Sequence, residues 1–243
     1  MDPAVYDRMA AHEDRHWWFV ARRRILDRLI ARRIERKDDC RILEAGCGTG
    51  GNLGMLGRFG RAAAFEPDAT ARALASAKST ADVRDGALPD RVPFAPQSFD
   101  IVAMLDVLEH VEDDVGSLKA VAERLTRGGR LVLTVPAYRF LWSRHDELHH
   151  HKRRYRKSGL LEVARAAGLQ PEYVSYFNTL LFPLVAAKRL AGRLLGSSGK
   201  ADDEMPSTGL NRLLGAVFAI ERHLLGRVSL PFGVSLVMIA RRA

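Results

Sequence analysis

The chain reads as an α/β protein built on a doubly wound sheet, and three observations carry that reading. A glycine-rich run, Glu44-Ala45-Gly46-Cys47-Gly48-Thr49-Gly50-Gly51, follows the apolar stretch Arg41-Ile42-Leu43 and precedes the periodic set Leu53, Met55, Leu56 and Phe59. Strand, glycine loop and helix in that order form the entrance to a nucleotide site in such a sheet. From residue 40 onward, short apolar runs alternate with amphipathic segments, as parallel strands and crossover helices do. The 243 residues, 47% of them hydrophobic, can bury one full core.

Taken in order, residues 4–36 form a helical cover whose apolar side holds Trp17, Trp18, Phe19, Ile25, Leu26 and Leu29. Adjacent tryptophans on a helix point to different sides, so one packs on the core while the other can face a cleft. The first strand spans Arg41 to Ala45 and its helix Asn52 to Phe59, with Asn52 a candidate cap. A second strand, Ala62 to Phe65, ends in Glu66-Pro67-Asp68, and Ala69 to Lys78 is helical. Val83 leads into Asp85-Gly86-Ala87, and after a turn-rich stretch Phe99 to Leu105 is a buried strand ending at Asp106. A helix from Asp114 to Leu125 stops at Arg127-Gly128-Gly129, and Arg130 to Val135 is the next strand.

Beyond it the rhythm changes. Residues 137–157 are aromatic, histidine-rich and basic. Ser158 caps a helix to Ala167, Pro171 to Tyr176 is a strand, and Val234 to Ala240 is a closing strand. Residues 179–226 are helical, with a loop of Gly, Ser, Asp and Lys from Gly196 to Ser207. The organisation expected is one domain: a cover (1–37), a cofactor-binding core (38–178), a helical insertion or lid (179–230) and a closing strand (231–243).

Several classes of function drop out on composition. Met1 to Val20 has no apolar h-region, and the longest apolar stretch, Leu180 to Ala187, is far short of a bilayer span. Two cysteines, Cys40 and Cys47, make no disulfide framework, so a reducing, cytoplasmic setting is expected. The net charge of +9 is densest at Lys152-Arg153-Arg154-Tyr155-Arg156-Lys157, behind His149-His150-His151. This run fits a solvated loop, an anionic substrate or an acidic membrane surface. Without a helix-turn-helix, zinc-finger or RNA-binding signature, nucleic acid is not expected.

The glycine loop alone leaves the ligand open. Gly46, Gly48 and Gly51 also satisfy the dinucleotide pattern G-x-G-x-x-G, with Glu66 as the ribose-binding acid. Four motifs in order narrow it: the Glu44–Gly50 loop, Glu66 after the second strand, Phe99-Asp100-Ile101-Val102 leading to Asp106-Val107-Leu108-Glu109-His110, and Leu125-Thr126-Arg127-Gly128-Gly129 before Leu131-Val132-Leu133. This set resembles the class I S-adenosylmethionine-dependent methyltransferases, in particular the small-molecule methyltransferase group. A dehydrogenase has no reason to carry the last two motifs. The block His16-Trp17-Trp18-Phe19 and the segment from Phe140 to Tyr155 look like features of a narrower bacterial subgroup.

The resemblance implies a mostly parallel seven-stranded sheet with an antiparallel last strand, S-adenosylmethionine as cofactor, and roles for named residues. Glu66, beside Pro67, would take both ribose hydroxyls, and Asp85 with Gly86 and Ala87 would meet the adenine edge. Gly46, Cys47, Gly48 and Gly50 would pass under the methionine and ribose portions, with Glu44 holding the loop or the ammonium and Asn52 beside it. Asp106, Val107 and His110 would lie where cofactor and acceptor meet. Trp17 or Trp18 would close the site and face the sulfonium through a cation–π contact.

A sulfonium is already an activated methyl donor, so the protein's task is in-line placement of a nucleophile and exclusion of water. A base is needed only for a protonated acceptor. His145 and His149 lead as candidates, with Tyr138 on the same loop. His145, His149 and Asp146 are also ligand types that could share a helical face, but without cysteines or an evident fourth ligand no metal is expected. Leu180, Leu181, Phe182, Leu184, Val185 and Leu190, with Lys188 and Arg189, read as a basic amphipathic helix, and Leu210 to Leu225 as another. These form a lid, a dimer face or a contact with an anionic membrane, and favour a small or lipid-like acceptor. The alternative function is a methyltransferase-like, cofactor-binding protein with a regulatory or assembly role.

Overall fold

Each strand of the sheet alternates its side chains between two helical layers, and that alternation decides which residues reach the site. The computed structural model describes residues 3–35, 37–194 and 205–242. Its strands are β1 (Arg41–Ala45), β2 (Arg61–Phe65), β3 (Asp82–Arg84), β4 (Phe99–Leu105), β5 (Leu125–Pro136), β6 (Leu169–Phe177) and β7 (Ser235–Arg242). They form one sheet in the order β3-β2-β1-β4-β5-β7-β6. The pairs among β1 to β5 are parallel, while β7 runs antiparallel to both β5 and β6. The order reverses between β1 and β4, and the crevice beyond the carboxyl ends of those two strands is where such sheets bind ligands.

The helices are α1 (Pro3–His12), α2 (Trp17–Arg33), α3 (Leu53–Leu56), α4 (Ala69–Lys78), α5 (Asp114–Arg124), α6 (Arg144–Leu148), α7 (Lys157–Ala166), α8 (Phe182–Leu194) and α9 (Thr208–Ala219). On one face, Leu43, Val102, Leu133 and Met238 pack with Leu118 of α5 and Leu160 of α7. On the other, Ile42, Ile101, Ala103 and Val237 pack with Ile25, Leu26 and Leu29 of α2 and Phe218 of α9. A period of two puts Glu44 on the same face as Ile42, beneath α2.

The expected N-terminal helix is two helices. The chain breaks at residues 13–16, where buried His16 caps α2 by accepting from the Trp18 N–H. Asn52 makes no cap bond to α3, because its side chain is spent on Glu44. The cap position of α7 is Arg156 rather than Ser158. Gly128 and Gly129 lie inside β5, where Gly128 takes φ +81°. Most of the loop read at 196–207 lies outside the described residues. Among the described residues no helix is long and apolar enough to cross a membrane.

Candidate active site

Three chain turns at the crevice build the site: the glycine loop after β1, the Glu66 turn after β2 and the Asp106 turn after β4. The register pairs Ala45 with Phe65 and Glu44 with Ala103, which brings the turns side by side. The Gly46 and Cys47 N–H groups both donate to the Phe65 carbonyl, at 2.9 and 3.1 Å. Gly46 takes φ +71°, and a Cβ there would stand 2.9 Å from both γ-carbons of Val107. Gly50, at φ +83°, lies 2.8 Å from the Ala75 Cα by the same construction. Gly48 is different: φ is +53° and nothing lies within 4 Å of where its Cβ would be. The loop is therefore clamped at both ends and open in the middle.

Glu66 is buried, its two oxygens accepting from the Gly48 N–H at 2.9 Å and the Asp68 N–H at 3.1 Å. Burial raises its carboxyl above the ordinary value, and those two N–H groups oppose the shift. Glu44 is also buried; Asn52 donates to its Oε1 at 2.8 Å, while Oε2 has no partner. Burial pushes Glu44 up to about 8. Cys47 is buried and free, its thiol raised by the same cause. Asp106 sits at φ +57° after β4.

The cover supplies residues that motif reading missed. Arg22 of α2, itself buried, pairs with Asp106, reaches Asn52 Oδ1 at 3.3 Å and lies 4.8 Å from the Trp18 ring centroid. Glu13, in the break between α1 and α2, accepts from the Thr49 hydroxyl at 2.7 Å, pairs with Lys78 and lies against Gly51. Burial raises the Tyr6 hydroxyl of α1, with Glu66 and Asp68 adding to it. A basic or acidic residue in an amphipathic helix carries no sequence signal for such reach. Trp18 is thus tied to the site through Arg22. Trp17 packs on α9 instead, its N–H donating to Asn211 Oδ1 at 2.8 Å and its ring edge meeting Phe218.

Asp85 is half exposed and pairs with Arg72 and Arg91, at 2.9 and 2.8 Å. Gly86 is buried against Pro93 and Phe65, Ala87 bonds Arg91 through the main chain, and Pro67 is exposed.

Beyond β5, His145 and His149 lie with ring centroids 4.1 Å apart and planes tilted by 34°, and His151 lies 5.8 and 6.0 Å from them. Asp146 is no part of a His145–His149 ligand face. It is fully buried, accepts two bonds from Arg154 at 2.7 and 3.0 Å, and bonds His151 at 2.8 Å. Burial works to raise the Asp146 carboxyl, but His151 and Arg154 outweigh it and hold it below the carboxylate range. His110 is pushed down to about 3 by burial, with the neighbouring His151 and His149 adding to it, and is neutral at physiological pH. Tyr138, at φ +55°, stacks between Phe140 and Tyr176, 5.2 and 5.0 Å away. Burial and its bond with Tyr176 raise its hydroxyl, which suits a donor rather than a base.

Comparison with known proteins identifies the family and the fold. Residues 15–174 match the family model described as a methyltransferase domain. Over 103 residues the chain is 34% identical to the mitochondrial ubiquinone biosynthesis O-methyltransferase of Schizosaccharomyces pombe, covering 39% of this chain and 37% of that relative. The chain thus matches little more than a third of that relative's length. In fold it is similar to a chain of the complex between the Haloferax volcanii Trm112 methyltransferase activator and a methyltransferase, with TM-score 0.64, 20% identity, and 98% and 94% of the two chains covered. It is also similar to the geranyl diphosphate C-methyltransferase of Streptomyces coelicolor, solved with Mg2+, geranyl diphosphate and S-adenosyl-L-homocysteine (TM-score 0.59, 14% identity, 88% and 78% covered). Since the family match takes in well over half of its residues, the chain belongs to the methyltransferase-domain family.

Proposed function

We propose that this chain transfers a methyl group from S-adenosylmethionine to a small or lipid-like acceptor, with the cofactor seated on the glycine loop. The observation that carries this is the unpartnered, buried Glu44 Oε2 at the end of β1, taken with the open position at Gly48 in the loop that follows. A buried carboxylate oxygen with nothing to accept from is costly, and an ammonium removes the cost. An α-amino acid end carries one cation and one anion. Glu44 and Arg22, joined through Asn52, offer a carboxylate and a guanidinium to match it. Glu66 keeps free lone pairs for ribose hydroxyls while its N–H partners fix its direction. When bound, the cofactor supplies a sulfonium-activated methyl group. The protein's own work is to hold both ends, exclude water with α1 and α2, and aim the acceptor. His145 and His149 remain our candidates for taking a proton from it.

The acceptor entrance we propose is the aromatic group Tyr138, Phe140, Tyr176, Phe182 and Phe232. Its rim is apolar and open: Phe140 is 41% exposed, Phe232 42% and Leu184 of α8 60%. With a net charge of +9, this supports peripheral contact with an anionic membrane and a hydrophobic acceptor, and on this reading the protein works at the cytoplasmic face. Flotation with anionic vesicles at low salt tests the membrane part, and a protein left wholly at the bottom of the gradient rejects it.

Calorimetric titration with S-adenosylmethionine and S-adenosylhomocysteine, beside NAD and NADP, tests the cofactor assignment. Binding of both sulfur compounds, lost in Glu66→Ala, is expected. Binding of a nicotinamide dinucleotide alone would return the loop to the dinucleotide account.

A further inference from the structure

After Asp106 the chain makes a single 3-10 turn, Leu108–His110, which brings Glu109 and His110 against the histidine segment beyond α6. One donor atom from each of Glu109, His110 and His151 lies within 4.8 Å of the others. We propose that these three residues bind one divalent transition-metal cation of the zinc type, through the Glu109 carboxylate and one ring nitrogen of each histidine.

The first support is an atom that lacks a partner. Glu109 is 1% exposed, and its Oε2 has no hydrogen-bond partner. The cations nearest in charge to it are already committed: Arg154 to Asp146 and the Ala137 carbonyl, Arg22 to Asp106 and Asn52. A buried carboxylate oxygen without a donor is destabilising unless the group is protonated or something cationic meets it.

Outer-face bonding of the His151 imidazole is the second support. His151 Nδ1 lies 2.8 Å from Asp146 Oδ1, which fixes the ring and leaves Nε2 as the inward nitrogen. Asp146 in turn is held by Arg154 and by the Ser143 N–H at 2.8 Å. Metal-bound histidines characteristically anchor the non-ligating nitrogen on a carboxylate or a carbonyl, as His151 does here on Asp146. The rings meet edge to face with centroids 4.7 Å apart.

Donor chemistry decides the kind of ion. Magnesium and calcium prefer six or more oxygens, whereas two imidazoles and one carboxylate suit zinc and its neighbours. Bonds of about 2.1 Å in a tetrahedral site put donors about 3.4 Å apart, so the widest separation closes by roughly 1.4 Å on binding, within reach of side-chain rotation. Three protein ligands leave a fourth position for water or an acceptor oxygen. Resting on the methyl-transfer reading, that position lies on the acceptor side, three residues from Asp106. A hydroxyl bound there would have its pKa lowered toward neutrality, as metal-bound water does, and would give its proton up to solvent more readily. Metal binding itself does not depend on that reading.

The test uses the full chain without a histidine tag, stripped with chelator and titrated with Co2+ and then Zn2+. One equivalent of Co2+ giving visible ligand-field absorption, displaced by one equivalent of Zn2+, is expected. Glu109→Gln and His151→Asn should each weaken binding at least tenfold while keeping a folded circular-dichroism spectrum. His223→Asn, at an exposed histidine outside the group, should bind as wild type does. Absence of saturable Co2+ binding, or equal binding by wild type and both variants, overturns the site. S-adenosylhomocysteine titrations in parallel separate the two readings: loss of that binding with metal retained rejects the cofactor assignment and leaves the metal site standing.

Discussion

The Arg22 guanidinium on α2 bonds the Asp106 carboxylate at the end of β4, across 84 positions of chain. Both groups are largely shielded from water, and the same guanidinium reaches Asn52, whose amide holds Glu44. One side chain thus ties the helical cover to two of the three turns that make the crevice. Arg22→Ala leaves Asp106 without its buried partner, so melting temperature should fall along with affinity for S-adenosylhomocysteine, the latter at least tenfold. Arg22→Lys keeps the charge but loses the fork and should recover only part of the affinity. Calorimetry and thermal denaturation read both.

The glycines of the loop should separate stability from binding. Gly46→Ala meets Val107 and Gly50→Ala meets the Ala75 backbone, both at positive φ, so each should destabilise the fold by several kcal/mol. Gly48→Ala meets nothing and carries only the left-handed backbone penalty of about 1–2 kcal/mol. Its methyl fills the space over the loop, so the variant should fold and bind S-adenosylhomocysteine at least tenfold more weakly. Chemical denaturation beside calorimetry distinguishes the two classes.

Glu44 gives the ligand-free protein a pH dependence of definite sign. Its folded pKa, about 8, lies above the ordinary 4.5 because the carboxyl is buried. The folded chain holds this proton more tightly, so the contribution to stability is full below pH 4.5 and is lost as pH rises through 8. Melting temperature should therefore decline between about pH 6 and 8, the upper part of that window, and Glu44→Gln should flatten the decline. Cofactor ammonium binding at Glu44 should release a proton near pH 7, read as a buffer-dependent calorimetric enthalpy.

Glu221, fully buried after α9, accepts from the N–H groups of Asn178, Thr179 and Leu180 at 2.7, 2.6 and 3.0 Å. It moors the far end of the helical insertion, past α9, to the turn by which the chain leaves β6. Glu221→Ala strands three donors and should cost about 3 kcal/mol or more, with new proteolytic cleavage near residues 178–182. Glu221→Gln retains two acceptor lone pairs and should fall between wild type and the alanine variant.

Much of the sheet was legible because its signals are local. The bounds read for β1, β4 and α4 coincide with those observed, since each is an apolar run closed by a glycine, a carboxylate or a cap. The cover was harder to read. Nothing near Glu13 or Arg22 in sequence announces that they reach Thr49 or Asp106, because those bonds exist only once α2 lies on the sheet. Asn52 looks like a cap by position, yet a buried carboxylate competes for its amide and wins. The group Glu109, His110 and His151 escaped for a similar reason. His151 stands next to the histidines that were weighed, but Glu109 and His110 come from a turn some forty positions earlier.

Strand β7 comes last of the seven in the chain yet lies between β5 and β6. While the polypeptide is being synthesised, β6 has no strand to form a ladder with until residues 235–242 have left the ribosome; among the described residues its other bridge is a single one from Tyr176 to Leu230. The five strands that frame the glycine loop pair among themselves and have no need to wait. The nascent chain therefore passes through a stage in which one half is folded and β6 hangs as an unpaired apolar edge, when aggregation threatens most and chaperones have most to protect.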